Sequence, residues 1–171
     1  MNDAGDNPFE ELLLSLARAG VKFIVAGGVA AVFHGVPRVT FALDISVDMD
    51  PDNVRRLLDV LEAEGLRPRP PVPAEALLDR ESVRKMTEEK GALVFSFVDP
   101  RDPLRQVDVF LARDMSYERL TALSESHRLG DQEIRIVSAA GLLQLKSRIH
   151  PLREKDELDI RYLRKRLEEK G

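Results

Sequence analysis

A short apolar segment that runs into two glycines and then into a second apolar segment constrains this chain more than any other feature. Residues 21–28 read VKFIVAGG, and residues 28–35 continue as GVAAVFHG. The first run is typical of a short buried strand, and the second of a short helix. Glycine at the junction allows a sharp turn and a close approach of other groups to the backbone. The pattern predicts an α/β domain with a strand–turn–helix unit near its start.

The next segment, FALDISVDMD at residues 41–50, alternates between apolar and polar side chains, as a half-buried strand does. One predicted face carries Leu43, Ile45, Val47 and Met49, and the other carries Ala42, Asp44, Ser46, Asp48 and Asp50. The acidic face is expected to be exposed to solvent or to belong to a functional site. Asp50 and Pro51 predict the N-cap and the first position of a helix that ends at Gly65.

The remaining elements follow from periodicity and from turn residues. A first helix is predicted to close at Gly20, and a helix of uncertain limits at 74–89, after a proline-rich connection at 67–75. Strand pairs are predicted at 92–99 with 105–112, and within 126–137, where the chain turns at Gly130 and Asp131. Two helices close the chain, at 138–149 with Ser138 as N-cap, and at 153–170. We therefore predict one domain over residues 1–171, with its core at about 8–137 and a helical part at about 138–170.

Composition excludes several classes of function. The 171 residues include no Cys, which excludes disulfides, zinc–thiolate sites and thiol nucleophiles. No apolar run approaches the roughly 18 residues of a membrane span, and the acidic N-terminus is unlike a signal peptide, so we expect a cytoplasmic protein without a membrane partner. A net charge of −4 argues against a surface built throughout for nucleic acid. The basic C-terminal stretch is interleaved with acids, which favours a solvated, salt-bridged helix face over a local patch.

A site that handles a nucleoside triphosphate needs groups that hold phosphate and groups that hold Mg²⁺. The turn at Gly27 and Gly28 offers backbone N–H groups for phosphate. Asp44 on one strand and Asp108 on a later strand offer carboxylates for a metal ion. Each signal is common by itself, and their combination in this order is more specific.

The order of these motifs resembles the nucleotidyltransferase superfamily with the DNA polymerase beta-like fold. The likeness is carried by GGVAAVFHG, PRVT, the acidic strand, VDVF and SAAGLLQLKSRIHPLREKDELDI, and it covers about residues 8–163. Within the superfamily, the chain looks most like the bacterial branch of AbiEii-type toxins and related small nucleotidyltransferases. The resemblance implies an α/β (α+β) fold with a mixed sheet of polymerase beta-like topology flanked by helices.

The resemblance also implies roles for residues around the glycine turn. Gly27 and Gly28 would hold the triphosphate, while Arg38 and Thr40 would line the nucleotide-binding cleft. For His34, two interpretations remain open: a cap of its short helix, or a role in the cleft.

The acids and one lysine receive roles in the same way. Asp44 would be the second acid of a metal-binding D-x-D pair, and Asp108 would be the third metal ligand. Lys146 would be catalytic, neutralising phosphate or the pyrophosphate leaving group, unless it is only a solvated side chain. Asp156 and Asp159 would organise the last helix or contact the cleft, unless they only favour its N-terminal turn electrostatically.

Ala42 departs from the family pattern, because it occupies the position of the first metal-binding aspartate. Asp48 and Asp50 form another D-x-D, but they lie farther along the strand, where Asp50 has a predicted capping role. Two explanations for Ala42 stay open: an introduced Asp→Ala change in an enzyme, or a natural residue of a domain that binds nucleotide or a partner without catalysis.

The resemblance implies transfer of a nucleoside monophosphate from an NTP to an RNA or protein acceptor with Mg²⁺ (or Mn²⁺), impaired here by Ala42. A tRNA acceptor, a cognate antitoxin or toxin, and a role in phage defence are the partners and settings it suggests. A tRNA acceptor would depend on the basic stretch 161–166. The alternatives are a catalytically inactive nucleotide-binding or protein-interaction module, and an α/β domain without a nucleotide site.

Overall fold

A computed structural model describes residues 8–69 and 72–170 of the chain. Its strands are β1 (Phe23–Ala26), β2 (Ala42–Val47), β3 (Arg67–Pro68), β4 (Val94–Asp99), β5 (Asp102–Phe110), β6 (Ser124–Leu129) and β7 (Gln132–Val137). Its α-helices are α1 (Glu10–Arg18), α2 (Gly27–Phe33), α3 (Pro51–Ala63), α4 (Arg80–Arg84), α5 (Tyr117–Thr121), α6 (Ala139–Lys146) and α7 (Glu154–Lys170). The predicted strand–glycine–helix unit and both predicted strand pairs are present.

One mixed seven-stranded sheet contains these strands in the order β3-β4-β5-β2-β1-β7-β6. β1 is antiparallel to β2 and parallel to β7, while β2 is parallel to β5. The hairpins β4–β5 and β6–β7 extend the sheet on either side. The C-terminal end of β1 therefore lies beside the start of β2, and β2 lies beside β5, which brings the glycine turn and both candidate aspartates together.

The core forms where apolar strand residues meet the helices. Leu43 and Ile45 of β2 and Val107 and Val109 of β5 are buried, as the alternating pattern predicts. Helices α1 and α3 pack against each other, and α6 packs against α2 and α7. The burial of this apolar area supplies the main favourable free energy of folding. No helix among the described residues is long and apolar enough to cross a membrane.

Four predictions about local structure need correction or narrowing. Strand β2 ends at Val47, so Met49 lies outside it and is 38% exposed. Ser46, which was expected on the solvent-exposed face of β2, is buried and donates a hydrogen bond to the carbonyl of Met115. Asp50 and Pro51 occupy the predicted N-cap and first positions of α3, but the side chain of Asp50 makes no capping hydrogen bond. The backbone N–H of Asp50 donates to the carboxylate of Asp48 at 3.0 Å, which forms an Asx turn just before the helix.

The other two corrections concern the middle of the chain. The helix predicted at 74–89 is broken into a 3₁₀ turn at Ala74–Leu78, the short helix α4 and a π-type turn at Lys85–Glu89. The proline-rich connection at 67–75 begins with the two-residue strand β3, which lies at the edge of the sheet where proline is tolerated. Residues 70 and 71 of this connection lie outside the described residues.

The junction before α6 follows the sequence-based prediction. Ser138 occupies the N-cap position, and its hydroxyl accepts a hydrogen bond from the N–H of Gly141 at 3.0 Å. The predicted Ser138 cap is confirmed. Helix α6 is shorter than predicted, ending at Lys146, and the chain then passes to α7, where Glu154 is the first residue.

Candidate active site

Two carboxylates lie side by side at the centre of the sheet. Asp44 of β2 is in direct register with Asp108 of β5. On their other sides, Asp108 is in register with Ser96 of β4, and Asp44 is in register with Ala26 at the end of β1. Residues in register on adjacent strands point to the same face and lie about 5 Å apart. The sheet therefore places Asp44 and Asp108 on one face, next to the glycine turn that follows Ala26.

Hydrogen bonds hold Asp108 in place. The hydroxyl of Ser96 donates to Oδ1 of Asp108 at 2.6 Å, and the amide Nε2 of Gln106 donates to the same oxygen at 2.8 Å. Gln106 is oriented in turn by Arg69, whose Nη2 donates to its Oε1 at 2.8 Å. Side chains that orient a carboxylate in this way restrict the directions in which it can bind a cation.

The environment of Asp44 disfavours its charged form. Burial, and to a lesser extent the neighbouring carboxylate of Asp108, raise the pKa of Asp44 to about 7, although the positive charges of Lys155 and Arg38 act in the opposite direction. Near neutral pH, the pair therefore carries unfavourable negative charge in a partly buried place. A divalent cation is the kind of ligand that would relieve this repulsion.

The donor set fits one divalent cation better than two. Within the described part of the chain, no group of three or more His, Cys, Asp or Glu side chains is arranged to hold a metal ion. Ala42, where the resemblance would place a further carboxylate, offers only a methyl group, and its neighbour in register on β5 is Gln106. Since Mg²⁺ is commonly held by one or two protein carboxylates together with phosphate oxygens, Asp44 and Asp108 suit a single such ion.

The two glycines make room for the side chains that surround them. Gly27 has a φ of +60°, and a Cβ atom there would overlap Oδ2 of Asp44. A Cβ atom at Gly28 would lie 2.6 Å from Oγ1 of Thr40 and 3.0 Å from Nη2 of Arg38. Glycine is thus required at both positions, because the candidate metal ligand and the cleft-lining side chains pack directly on the turn.

The loop before β2 reaches this turn through Arg38 and Thr40. The hydroxyl of Thr40 donates to the carbonyl of Ala42 at 3.1 Å, which orients the start of the strand. The side chain of Arg38 is 15% exposed and contacts Asp159 of α7, with 2.8 Å between Nε and Oδ1 and a hydrogen bond of 3.1 Å from Nη2 to Oδ2. Arg38 therefore connects the glycine turn to the last helix.

Lys146, predicted to neutralise phosphate, is buried among acids of α7. Its Nζ lies 2.8 Å from Asp159 and 3.1 Å from Asp156, and both aspartates are fully buried. Arg153 adds a contact of 2.7 Å between its Nε and Asp156. Burial would raise the pKa of Asp156, but hydrogen bonds from Arg153 and Lys146 outweigh it and hold that pKa well below its usual range.

Other candidate residues lie away from the carboxylate pair. The Nε2 atom of His34 is 2.8 Å from the carbonyl oxygen of Val137, which only accepts, so this nitrogen carries the proton. The ring is buried against β7, and burial lowers its pKa, which favours a neutral structural histidine at the end of α2. Asp48 lies four residues beyond Asp44, about 13 Å along an extended chain, so the structure does not bring it to the pair.

Sequence reasoning missed the residues that orient the acids. Ser96 and Gln106 lie on the strands that were predicted, but only the register between β4 and β5 shows that both reach Asp108. The one available signal was alternation, since Gln106 and Asp108 are two residues apart on the same strand. Lys155, near enough to lower the pKa of Asp44, comes from α7; it lies in a segment that carried the resemblance, but it received no role there.

Comparison with known proteins supports the fold and leaves the family open. No protein-family profile and no curated protein sequence matches the chain. A crystal structure of the lincosamide antibiotic adenylyltransferase LnuA with lincomycin bound is similar, with a TM-score of 0.61 and 15% sequence identity, covering 92% of this chain and 96% of that one. At this identity the likeness speaks for the fold alone, and the predicted mixed α/β nucleotidyltransferase fold is confirmed.

Proposed function

We propose that the chain binds a nucleoside triphosphate together with one divalent cation, Mg²⁺ or Mn²⁺, and transfers the nucleoside monophosphate to an acceptor with impaired efficiency. The observation that carries this proposal is the direct register of Asp44 with Asp108 beside the Gly27–Gly28 turn. The similarity in fold to an adenylyltransferase supports it. The efficiency is impaired because Ala42 cannot supply a third carboxylate.

Each residue of the site has a role in this proposal. Asp44 and Asp108 hold the cation, which, when bound, neutralises phosphate charge and steadies the pyrophosphate leaving group. Backbone N–H groups of the turn and the guanidinium of Arg38 bind phosphate oxygens. Thr40 keeps the strand and the turn aligned. The protein thus acts mainly by positioning and by charge compensation, as in phosphoryl transfer generally.

The acceptor that we propose is an RNA or a protein, in a toxin–antitoxin or phage-defence setting as the AbiEii-type resemblance suggests. The outer face of α7 supports an RNA acceptor. Arg161, Arg164 and Lys165 border an open groove of about 490 Å³, which Glu157 and Glu168 also line. None of the three cations forms an ion pair with any described residue. The salt-bridged face expected here is therefore not found for these three side chains, and cations without partners are suited to phosphate groups.

The second candidate is a nucleotide-binding or protein-interaction module without catalysis. The methyl group of Ala42 at the position of the first acid favours it, since a site with two carboxylates can hold a nucleotide–metal complex and still misplace the reacting groups. This candidate shares the binding site of the first and differs only in turnover.

Restoring the missing acid separates the two candidates. The parent chain and its Ala42→Asp variant are each incubated with Mg²⁺ and labelled ATP, GTP, CTP or UTP, in the presence of total tRNA or of protein acceptors. The nucleotidyltransferase proposal expects labelled acceptor to increase at least tenfold in Ala42→Asp, with Ala42→Asn as the neutral control of similar size. Equal labelling by all three proteins would contradict catalysis, and failure of every nucleotide to raise the melting temperature would also contradict binding.

A further inference from the structure

Asp159 is a fully buried carboxylate at the meeting point of three segments. It contacts Arg38 from the loop before β2 and Lys146 at the end of α6, while Asp159 itself belongs to α7. A buried carboxylate with two cationic partners gains little stability over an apolar replacement, because its desolvation offsets most of the attraction. The arrangement therefore calls for an explanation beyond stability.

The way in which Asp159 contacts Arg38 leaves part of the guanidinium free. Asp159 accepts a hydrogen bond of 3.1 Å from Nη2, and its other carboxylate oxygen lies 2.8 Å from Nε in an ion pair that does not have hydrogen-bond geometry. Nη1 makes no hydrogen bond to any described residue, and the side chain retains 15% exposure. A guanidinium held along one edge presents its remaining N–H groups in a fixed direction, which is the geometry that recognises phosphate oxygens.

The guanidinium of Arg38 also lies beside the glycine turn. Its Nη2, which donates one hydrogen bond to Asp159, would be 3.0 Å from a Cβ atom at Gly28, and Asp44 packs on the adjacent Gly27. Arg38 and Asp44 thus flank two consecutive residues of one turn, with a cation on one side and a candidate metal ligand on the other. A triphosphate with its metal ion needs this pairing of charges at short range.

We infer that Asp159 is a positioning residue that holds Arg38 as the triphosphate ligand, and that Lys146 compensates Asp159 and Asp156 rather than binding phosphate. The inference rests on the proposed function, since it assigns a ligand within the same site. Arg38 contacts only Asp159 and Arg153 contacts only Asp156, whereas Lys146 pairs with both, so Lys146 is the cation that the two buried carboxylates share. The last helix thereby sets the direction of an arginine that belongs to another part of the chain.

The test measures the binding of Mg²⁺–ATP and of inorganic triphosphate by isothermal titration. Asp159→Asn keeps the size of the side chain and removes its charge, so the Kd for both ligands should rise about tenfold, the expected effect of losing one well-oriented charged hydrogen bond. Arg38→Gln should raise both Kd values at least as much. Adding Asp159→Asn to Arg38→Gln should cause no further change, because the two residues act through one contact.

Two further variants keep the test decisive. Arg38→Lys retains the positive charge and can still contact Asp159, but an ammonium group has no second set of N–H groups directed at phosphate. It should therefore lose affinity for Mg²⁺–ATP and triphosphate as Arg38→Gln does. Glu64→Gln removes a carboxylate that pairs with Arg105 at 2.8 Å, away from the turn, and should lower the melting temperature while both Kd values stay within about twofold of the parent.

The possible outcomes bear on different claims. Parental affinity in Asp159→Asn or in Arg38→Lys, or additive losses in the double variant, would overturn the positioning role and leave the proposed function standing. A parent chain that binds neither ATP nor triphosphate would overturn the proposed function, and the positioning role with it. If Asp159→Asn does not fold, the test depends on Arg38→Lys and Arg38→Gln. An equal loss of triphosphate affinity in both variants supports the inference.

Discussion

Replacing Asp44 with asparagine should stabilise the metal-free protein at neutral and alkaline pH. The folded chain keeps the proton of Asp44 up to about pH 7, whereas the unfolded chain releases it near the ordinary value of 3.8. The stability of the parent therefore falls as the pH rises from about 4 to about 7, since the folded state binds more protons there. One pKa unit corresponds to about 1.4 kcal/mol, so the whole displacement is worth on the order of 4 kcal/mol above pH 7.

Urea titration at pH 4, 6 and 8 in EDTA measures this effect, because urea is uncharged and leaves the electrostatics unscreened. The free energy of unfolding of Asp44→Asn should exceed that of the parent by a margin that is small at pH 4 and largest at pH 8. Asp59→Asn on the exposed face of α3 is the matched control, and it should follow the parent at every pH. Mg²⁺ should narrow the gap at pH 8 because it binds the two carboxylates of the folded parent.

The refuting result is simple to recognise. If Asp44→Asn is no more stable than the parent at pH 8 in EDTA, or if its advantage is the same at pH 4 and pH 8, burial and the neighbouring Asp108 do not raise the pKa of Asp44 in the folded protein.

Two further substitutions test the packing of the site. Gly27→Ala should unfold at a urea concentration well below that of Gly20→Ala. Both glycines have a positive φ, so both substitutions carry the same backbone cost. Only at position 27 would the new methyl group overlap Asp44, and this overlap should lower the free energy of unfolding by about 1–3 kcal/mol more. Equal effects would show that the backbone conformation alone matters. Lys146→Met should cost about 3–5 kcal/mol, because Asp156 and Asp159 lose the cation that they share and keep one arginine each, whereas Arg18→Met, in an exposed ion pair, should cost less than about 1 kcal/mol. A similar cost for both would contradict the buried character of the cluster.

The sequence predicted the local elements because each rests on interactions between near neighbours. Alternation over FALDISVDMD placed Leu43 and Ile45 in the core, and the turn at Gly130 and Asp131 correctly joined two strands. Ser138 was recognisable as a cap because its hydroxyl binds an N–H only three residues away. Asp50 lies at the predicted N-cap position, but its carboxylate makes no capping hydrogen bond.

The site depended on information that no single segment contains. Asp44 and Asp108 were chosen from a motif, and the sequence could not show that their strands are parallel neighbours in direct register. It gave no reason to associate Ser96 with Asp108, or Arg38 with Asp159. Such contacts join distant parts of the chain, and their geometry depends on how the strands align across the sheet.

The sequence by itself determined the strand–glycine–helix unit, the acidic strand and the absence of an acid at position 42, since these are properties of residue order and side-chain chemistry. Only the tertiary structure decided what those residues face. It placed Asp44 against Gly27 and Asp108, which raises its pKa, and it buried Lys146 between two aspartates rather than leaving it in the cleft. The physical reason is that charge interactions depend on distance and burial, and both are set by packing between segments far apart in sequence.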